Sequence, residues 1–263
     1  MENSLIYLYC VGNSPPMPLL HLEATGVKSL RIDDFFVIFK EVPAIDFSEE
    51  NFKRHLSDKR WSEFRAREHG MVLSLIMENS EVVPFNFGTL FHSESSLKKF
   101  IADHSDTLSE EIGSIGGSEE WTIQVFCNRK VLYKQIDEMS AQAAKMEKEI
   151  MASSPGKAYL LKQKKTELIK IEMDRICKDY GVQYLDQFSN LSDSFHLNNL
   201  LPKEFTERED TMILNANFLV NKKEGPHFKE ILEIRGKRDK NQGFFPKLLG
   251  PFPPFTFVFI NRQ

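Results

Sequence analysis

The sequence predicts an α+β protein built as two domains, on three observations. Short runs of aromatic and β-branched residues alternate with segments whose apolar residues return every three or four positions. A cluster of glycine and serine, Gly113 to Ser118, divides the chain near its middle. The second half then reads strand, helices, strand, strand, helix, strand, which is the order of the split βαβ, or ferredoxin-like, plan. The expected domains are residues 1–117, an N-terminal α+β domain, and residues 118–263, a modified ferredoxin-like domain with long helices.

Leu5 to Cys10 is a strand that leaves through Gly12, Pro15, Pro16 and Pro18 into an irregular loop. Phe35 to Phe39 is apolar on both faces, as in a central or helix-covered strand. Ser48 followed by Glu49 and Glu50 offers a helix start. A longer helix is expected over about Asp58 to Glu78, with Trp61, Phe64, Met71, Val72, Leu75 and Ile76 as its buried stripe. Val82 to Phe91 reads as one buried strand, interrupted by Pro84 and turning sharply at Gly88. Ser93 caps the next helix, whose inward stripe is Leu97, Ile101, His104, Leu108 and Ile112.

In the second half Trp121 to Cys127 alternates as a half-buried strand does. Ile136, Met139, Ala143, Met146 and Ile150 mark a helix. Pro155, behind Ser154, begins another that ends near Gly181. Phe195, Leu197, Leu200 and Leu201 suggest a short edge strand before Pro202, in the least legible stretch, residues 186–210. Thr211 to Val220 is a strand with Leu214, Ala216, Phe218 and Val220 on one face. A short helix opens at Gly225-Pro226, and Phe255 to Ile260 is expected as the last strand of the second domain. Deleting it is therefore expected to leave the C-terminal half molten.

Composition excludes some function classes. With 34 basic and 38 acidic residues the net charge is −4, which draws the chain to neither nucleic acid nor an anionic membrane. No run approaches a membrane span and no signal peptide is visible, so a cytoplasmic protein is expected. Cys10, Cys127 and Cys177 are far apart in sequence and read as buried small apolar residues of a reducing compartment. Neither a metal nor a cofactor is expected.

Among seven histidines, His69 and His92 flank the Val82 to Phe91 stretch and make the sharpest enzyme hypothesis, a small-molecule site in the cleft between domains. No ligand-spaced pair accompanies either residue, so a packing role is preferred and no catalytic residue is assigned. RNA binding through Lys162, Lys164 and Lys165 is weaker still. Residues 129–180 carry twelve basic against eight acidic side chains, and the strand Thr211 to Val220 holds no basic residue. Gly113 to Gly117 lacks the Lys-Ser/Thr of a phosphate loop. Phe244, Phe245 and Phe252, crowded among Pro and Gly near the C-terminus, form a candidate partner surface.

Several stretches in order resemble the gas-vesicle protein F/L family: Tyr7-Leu8-Tyr9; His69 with Val72 and Leu75; Pro84, Phe87, Gly88 and Thr89; Glu120-Trp121; Pro155-Gly156 opening a helix; Asn215-Ala216-Asn217; and Gly250, Pro251, Pro253 and Pro254. Asn86, Gly70, Phe252 and Phe255 depart from the family's usual Arg, Glu, Trp and Tyr. The resemblance implies two α+β domains and a non-enzymatic accessory role in gas-vesicle assembly. Its implied partners are the major shell protein and other vesicle accessory proteins, with self-association left open. It also implies association with the vesicle, where the chain could remain as a minor component.

Overall fold

A computed structural model describes residues 4–15 and 25–260. The loop expected at Pro16 and Pro18 lies outside the described residues, as does His21. The chain divides into two compact units, residues 1–120 with 251–263 and residues 121–250.

The first unit is built on a sheet of β1 (Ser4–Gly12), β2 (Val27–Ile32), β3 (Phe35–Pro43), β4 (Val82–Pro84) and β5 (Leu90–Phe91). Its order is β2-β3-β1-β4, with β5 also paired to β1. All but the first residue of β1 are buried, as a run of Leu, Ile, Tyr, Val and Cys between neighbours on both sides requires. The expected single strand over Val82 to Phe91 is split. β4 pairs with Cys10 to Gly12, β5 pairs with Ile6 and Tyr7, and residues 85–89 bow out between them. A four-residue turn closes there, Thr89 N–H donating to the Asn86 carbonyl at 3.1 Å. Gly88 takes the third position at φ +87°, where a Cβ would also lie 2.6 Å from the Phe52 ring.

Helices α1 (Ala44–Phe47), α2 (Glu49–Leu56) and α3 (Lys59–Met77) connect β3 to β4. Asp58 caps α3, accepting from the Arg60 and Trp61 amides. The buried face of α3 is His69, Val72, Leu73, Ile76 and Met77. Phe64, Met71 and Leu75, expected inside, are 64%, 61% and 44% exposed. Three- and four-residue steps fit two adjacent stripes here, and packing on β1 selected the one containing His69.

After β5, α4 (Glu94–Asp103) and α5 (Ser105–Ile115) replace the single helix expected. Ser93 and Ser96 form a reciprocal cap at the start of α4. His104 sits at the break and its Nδ1 meets the Phe100 carbonyl at 2.8 Å.

The second unit is a four-stranded sheet of β6 (Ser118–Cys127), β7 (Ser194–Leu197), β8 (Thr211–Asn221) and β9 (Phe244–Phe252), in the order β7-β8-β6-β9. Numbered within the unit this is 2-3-1-4, the split βαβ order. The intervening helices are α6 (Arg129–Met139), α7 (Ala141–Met151), α8 (Pro155–Ser189), α9 (Lys203–Thr206) and α10 (Gly225–Asp239). The breaks flanking α7 are local chemistry. Ser140 caps it, its hydroxyl accepting from Ala143 N–H and donating to Glu172 at 2.6 Å, and Pro155 opens α8.

Helix α8 runs past Gly181, the expected stop, to Ser189. A Cβ on Gly181 would lie 2.8 Å from the Ile213 carbonyl, so this glycine permits close approach to β8 instead of ending the helix. The sheet face toward α8 and α10 carries Trp121, Ile123, Val125, Leu214, Ala216, Phe218 and Val220 against Tyr184, Phe188, Phe228 and Leu232.

The last strand is displaced from its expected place. The fourth strand is Phe244–Phe252, and Phe255–Phe257 form a short 3₁₀ turn. Pro246 and Pro251 are admissible in β9 because it lies at the sheet edge. Residues 251–263 group with the first unit, not the second as expected.

Candidate functional site

The polar centre of the first unit is His69, 3% exposed. Helix α3 carries it against β1, where Tyr7 alternates inward. The Tyr7 hydroxyl lies 2.9 Å from Nδ1, and the Phe85 carbonyl 3.0 Å from Nε2. Gly88 N–H donates to the same hydroxyl at 3.2 Å. These partners define one arrangement. Nε2–H donates to Phe85, Nδ1 accepts from Tyr7, and Tyr7 accepts from Gly88, so the ring is neutral and both nitrogens are engaged. Burial holds the His69 pKa down at about 4, against the opposing pull of the Phe85 carbonyl. Burial likewise pushes the Tyr7 phenol well above its ordinary value.

Tyr9 and Phe255 stack near the imidazole at 5.4 and 5.9 Å between centroids, with Phe87 edge-on at 6.0 Å. The space left among Tyr7, Tyr9, Lys40, Arg65, Glu68 and His69 is about 20 Å³, room for about one water. His92 is exposed and does not join this cluster. The proposed His69/His92 pair is thus not assembled, and among the described residues no three His, Cys, Asp or Glu side chains could hold a metal.

The C-terminal segment closes the first unit through two carboxylates that sequence reasoning missed. Glu120 accepts from Thr256 N–H at 2.9 Å and from its hydroxyl at 2.7 Å. Glu111 Oε1 accepts from the Phe259 and Ile260 amides at 2.6 and 2.8 Å. Burial raises the Glu111 pKa, and the two amides oppose that shift. Acidic residues in amphipathic segments give no warning of such a role, because their partners are backbone groups distant in sequence.

In the second unit the candidate phenylalanines separate. Phe244 is fully buried, its ring 3.8 Å from that of Tyr180, and is withdrawn as a partner surface. A strand alternates its faces, so its neighbour points the other way. Phe245 lines a groove of about 370 Å³ with Leu232, Gly236, Pro246 and Leu248, bordered by Lys229, Lys237 and Lys240. Phe252 is 46% exposed.

Lys165, from the suspected RNA-binding cluster, is instead tied to Asp137 and Glu147 at 2.7 and 2.8 Å. Cys127 and Cys177, fifty positions apart, are buried in the same core cluster. Folding, not spacing, brings them together.

A second apolar surface surrounds β7. All four of its residues are exposed. With the β7–β8 connection it leaves Phe195 at 45%, Leu197 at 52%, Leu200 at 54% and Phe205 at 77% in water. Dedicated amides hold this segment in place. Asn215 Nδ2 donates to the Asn199 carbonyl at 2.9 Å, and Asn217 Oδ1 accepts from Asn198 Nδ2 and the Thr122 hydroxyl, each at 2.9 Å. The Asn-Ala-Asn stretch of β8 therefore fixes an exposed strand, with the fully buried Ala216 between the two amides.

Geometry thus describes an α+β protein whose polar centre is engaged in structure and whose apolar surface lies at a sheet edge. The family model described as "Gas vesicle synthesis protein GvpL/GvpF" matches residues 5–259, and the chain belongs to that family. It is 22% identical over 268 residues to Gas vesicle protein L of Streptomyces sp. (strain CB03234), covering 96% of this chain and 86% of that relative. Crystal structures of GvpF from Microcystis aeruginosa and from Anabaena sp. PCC7120 each match with a TM-score of 0.64 and 19% identity. They cover 97% of this chain and 99% and 96% of theirs, and at that identity they establish the fold. Among the described residues no helix is long and apolar enough to cross a membrane.

Proposed function

We propose that this chain is a non-enzymatic accessory protein that binds the hydrophobic gas-vesicle shell protein, with other vesicle proteins, during nucleation, and that it stays as a minor vesicle component. The proposed setting is the cytoplasm, at the growing vesicle. Family membership supports the vesicle role. The observation that carries the client-binding part is the exposure of Phe195, Leu197, Leu200 and Phe205 on a pinned segment. Apolar side chains left in water on an ordered edge are suited to shielding a partner's apolar segments, while the charged helices keep the complex soluble.

The test is a pull-down of the major shell protein by the full chain and by a Phe195→Ser/Leu200→Ser/Phe205→Ser variant, alongside vesicle formation in cells carrying each. Retention by the parent chain and loss by the variant is the expected result. Equal retention, or none by either, overturns the reading. His92→Ala is expected to leave vesicle formation intact. Loss of vesicles in that variant, with the fold preserved, would revive the enzyme alternative.

A further inference from the structure

We infer that the open edge of β7 takes up an extended segment of a partner by strand addition, and that this segment alternates apolar residues with lysine or arginine.

The backbone supplies the first half of the argument. Among the described residues β7 is the end strand of its sheet and pairs with β8 alone, in the register Phe195 opposite Phe218 and Leu197 opposite Ala216. The next pair in that register is Asn198 with Asn215, and Asn198 N–H donates to the Asn215 carbonyl at 2.9 Å. Antiparallel ladders alternate, so Ser194 and His196 turn their amides toward β8. Phe195 and Leu197 turn theirs outward, to the side where, among the described residues, the sheet has no further strand. The same two residues carry the apolar side chains. Phe195 leans on Phe218 at 6.5 Å between centroids, and so lies on the sheet face that α8 and α10 cover. An added strand extends that face, its alternate apolar residues meeting Phe195 and Leu197.

Charge selects the occupant. Glu204, Glu207 and Glu209, in the connection that follows β7, are exposed. In the same connection Lys203 donates to the Glu209 carbonyl and Arg208 pairs with Asp210 at 2.7 Å. A second copy of β7 would bring like-charged rims together, which disfavours self-pairing. A segment with basic residues relieves the excess. The identity of the partner as a vesicle protein rests on the function proposed above, but the chemistry of the edge does not.

The experiment uses the full chain and labelled octapeptides alternating valine with lysine or valine with glutamate, read by fluorescence anisotropy. The lysine peptide is expected to bind roughly tenfold more tightly at low salt, with the preference shrinking as salt rises. Two changes should each abolish most of that binding. Leu197→Pro removes an outward amide without removing a bond to β8, and N-methylation of alternate peptide residues removes the complementary donors while the protein stays native. Equal affinity for both peptides, undiminished binding of the N-methylated peptide, or concentration-dependent dimerisation through β7 overturns the inference. The shell-protein pull-down is read separately. If it succeeds while the peptides fail, strand addition is wrong and the accessory role stands. If the peptides bind and the pull-down fails, the edge is right and the shell protein is not its partner.

Discussion

The Tyr7–His69–Phe85 cluster and the β7 edge handle polarity in opposite ways. In the first unit a titratable ring is buried and every hydrogen-bonding atom on it is matched. In the second, phenylalanine and leucine stand in water while the amides of buried Asn215 and half-buried Asn217 hold their backbone in place. An imidazole without free valence is a fastener, since chemistry or metal binding would require one nitrogen to be released. An apolar segment that costs hydrogen bonds to position and buries little is poorly suited to stabilising its own unit. Residues of the family resemblance occur in both places, so a shared motif here marks two kinds of work.

The largest expected effect separates the units. Deleting residues from Phe255 onward removes the buried side chains of Phe257, Val258 and Ile260 and strands the Glu111 carboxylate. At about 2 kcal/mol for each buried side chain, the loss is on the order of 6 kcal/mol, comparable with a whole domain's stability. Trp61 reports on the first unit and Trp121 on the second, and they are the only tryptophans. Single-tryptophan versions of the truncated chain should show the Trp61 signal melting early and the Trp121 signal holding. The reverse order would restore the original expectation that the tail belongs to the second unit.

His69 comes next. Its folded pKa of about 4 lies below the ordinary histidine value, so the unfolded chain takes up the proton first. Stability from the neutral ring is complete above about pH 6.5, falls as pH drops toward 4 and changes no further below, for a total of roughly 3 kcal/mol. Subtracting the denaturation curve of His69→Gln, which cannot titrate, should isolate that slope. A difference flat between pH 7 and 4 would mean that the ring is not held neutral.

A smaller effect has the opposite sign. Gly70 lies inside α3, and a Cβ there would meet nothing within 4 Å. Gly70→Ala should therefore stabilise the first unit by about 1 kcal/mol, seen in the Trp61 transition. The smallest effect is at β7, where Leu200→Ser with Phe205→Ser should change the Trp121 midpoint by less than about 0.5 kcal/mol. A clear loss there would show that the edge serves its own fold, and the contrast between the two regions would collapse.

Local signals carried much of this architecture because they are written in neighbouring residues: Ser93 as a cap, Pro155 as a helix opening, and the alternation of β8. The α+β class and the order of elements in the second unit followed from the same periodicities. The sequence determined most of the segments that form helix or strand and which residues could be apolar or capping.

Tertiary structure decided which of two stripes on α3 was buried, that Gly181 lies inside a helix, and that β9 precedes the tail. It also joined Tyr7 to His69 across 62 positions and Glu111 to Ile260 across 149. Those choices depend on free energies of burial and hydrogen bonding between segments distant in the chain, and such pairings leave no periodic trace in either segment taken alone.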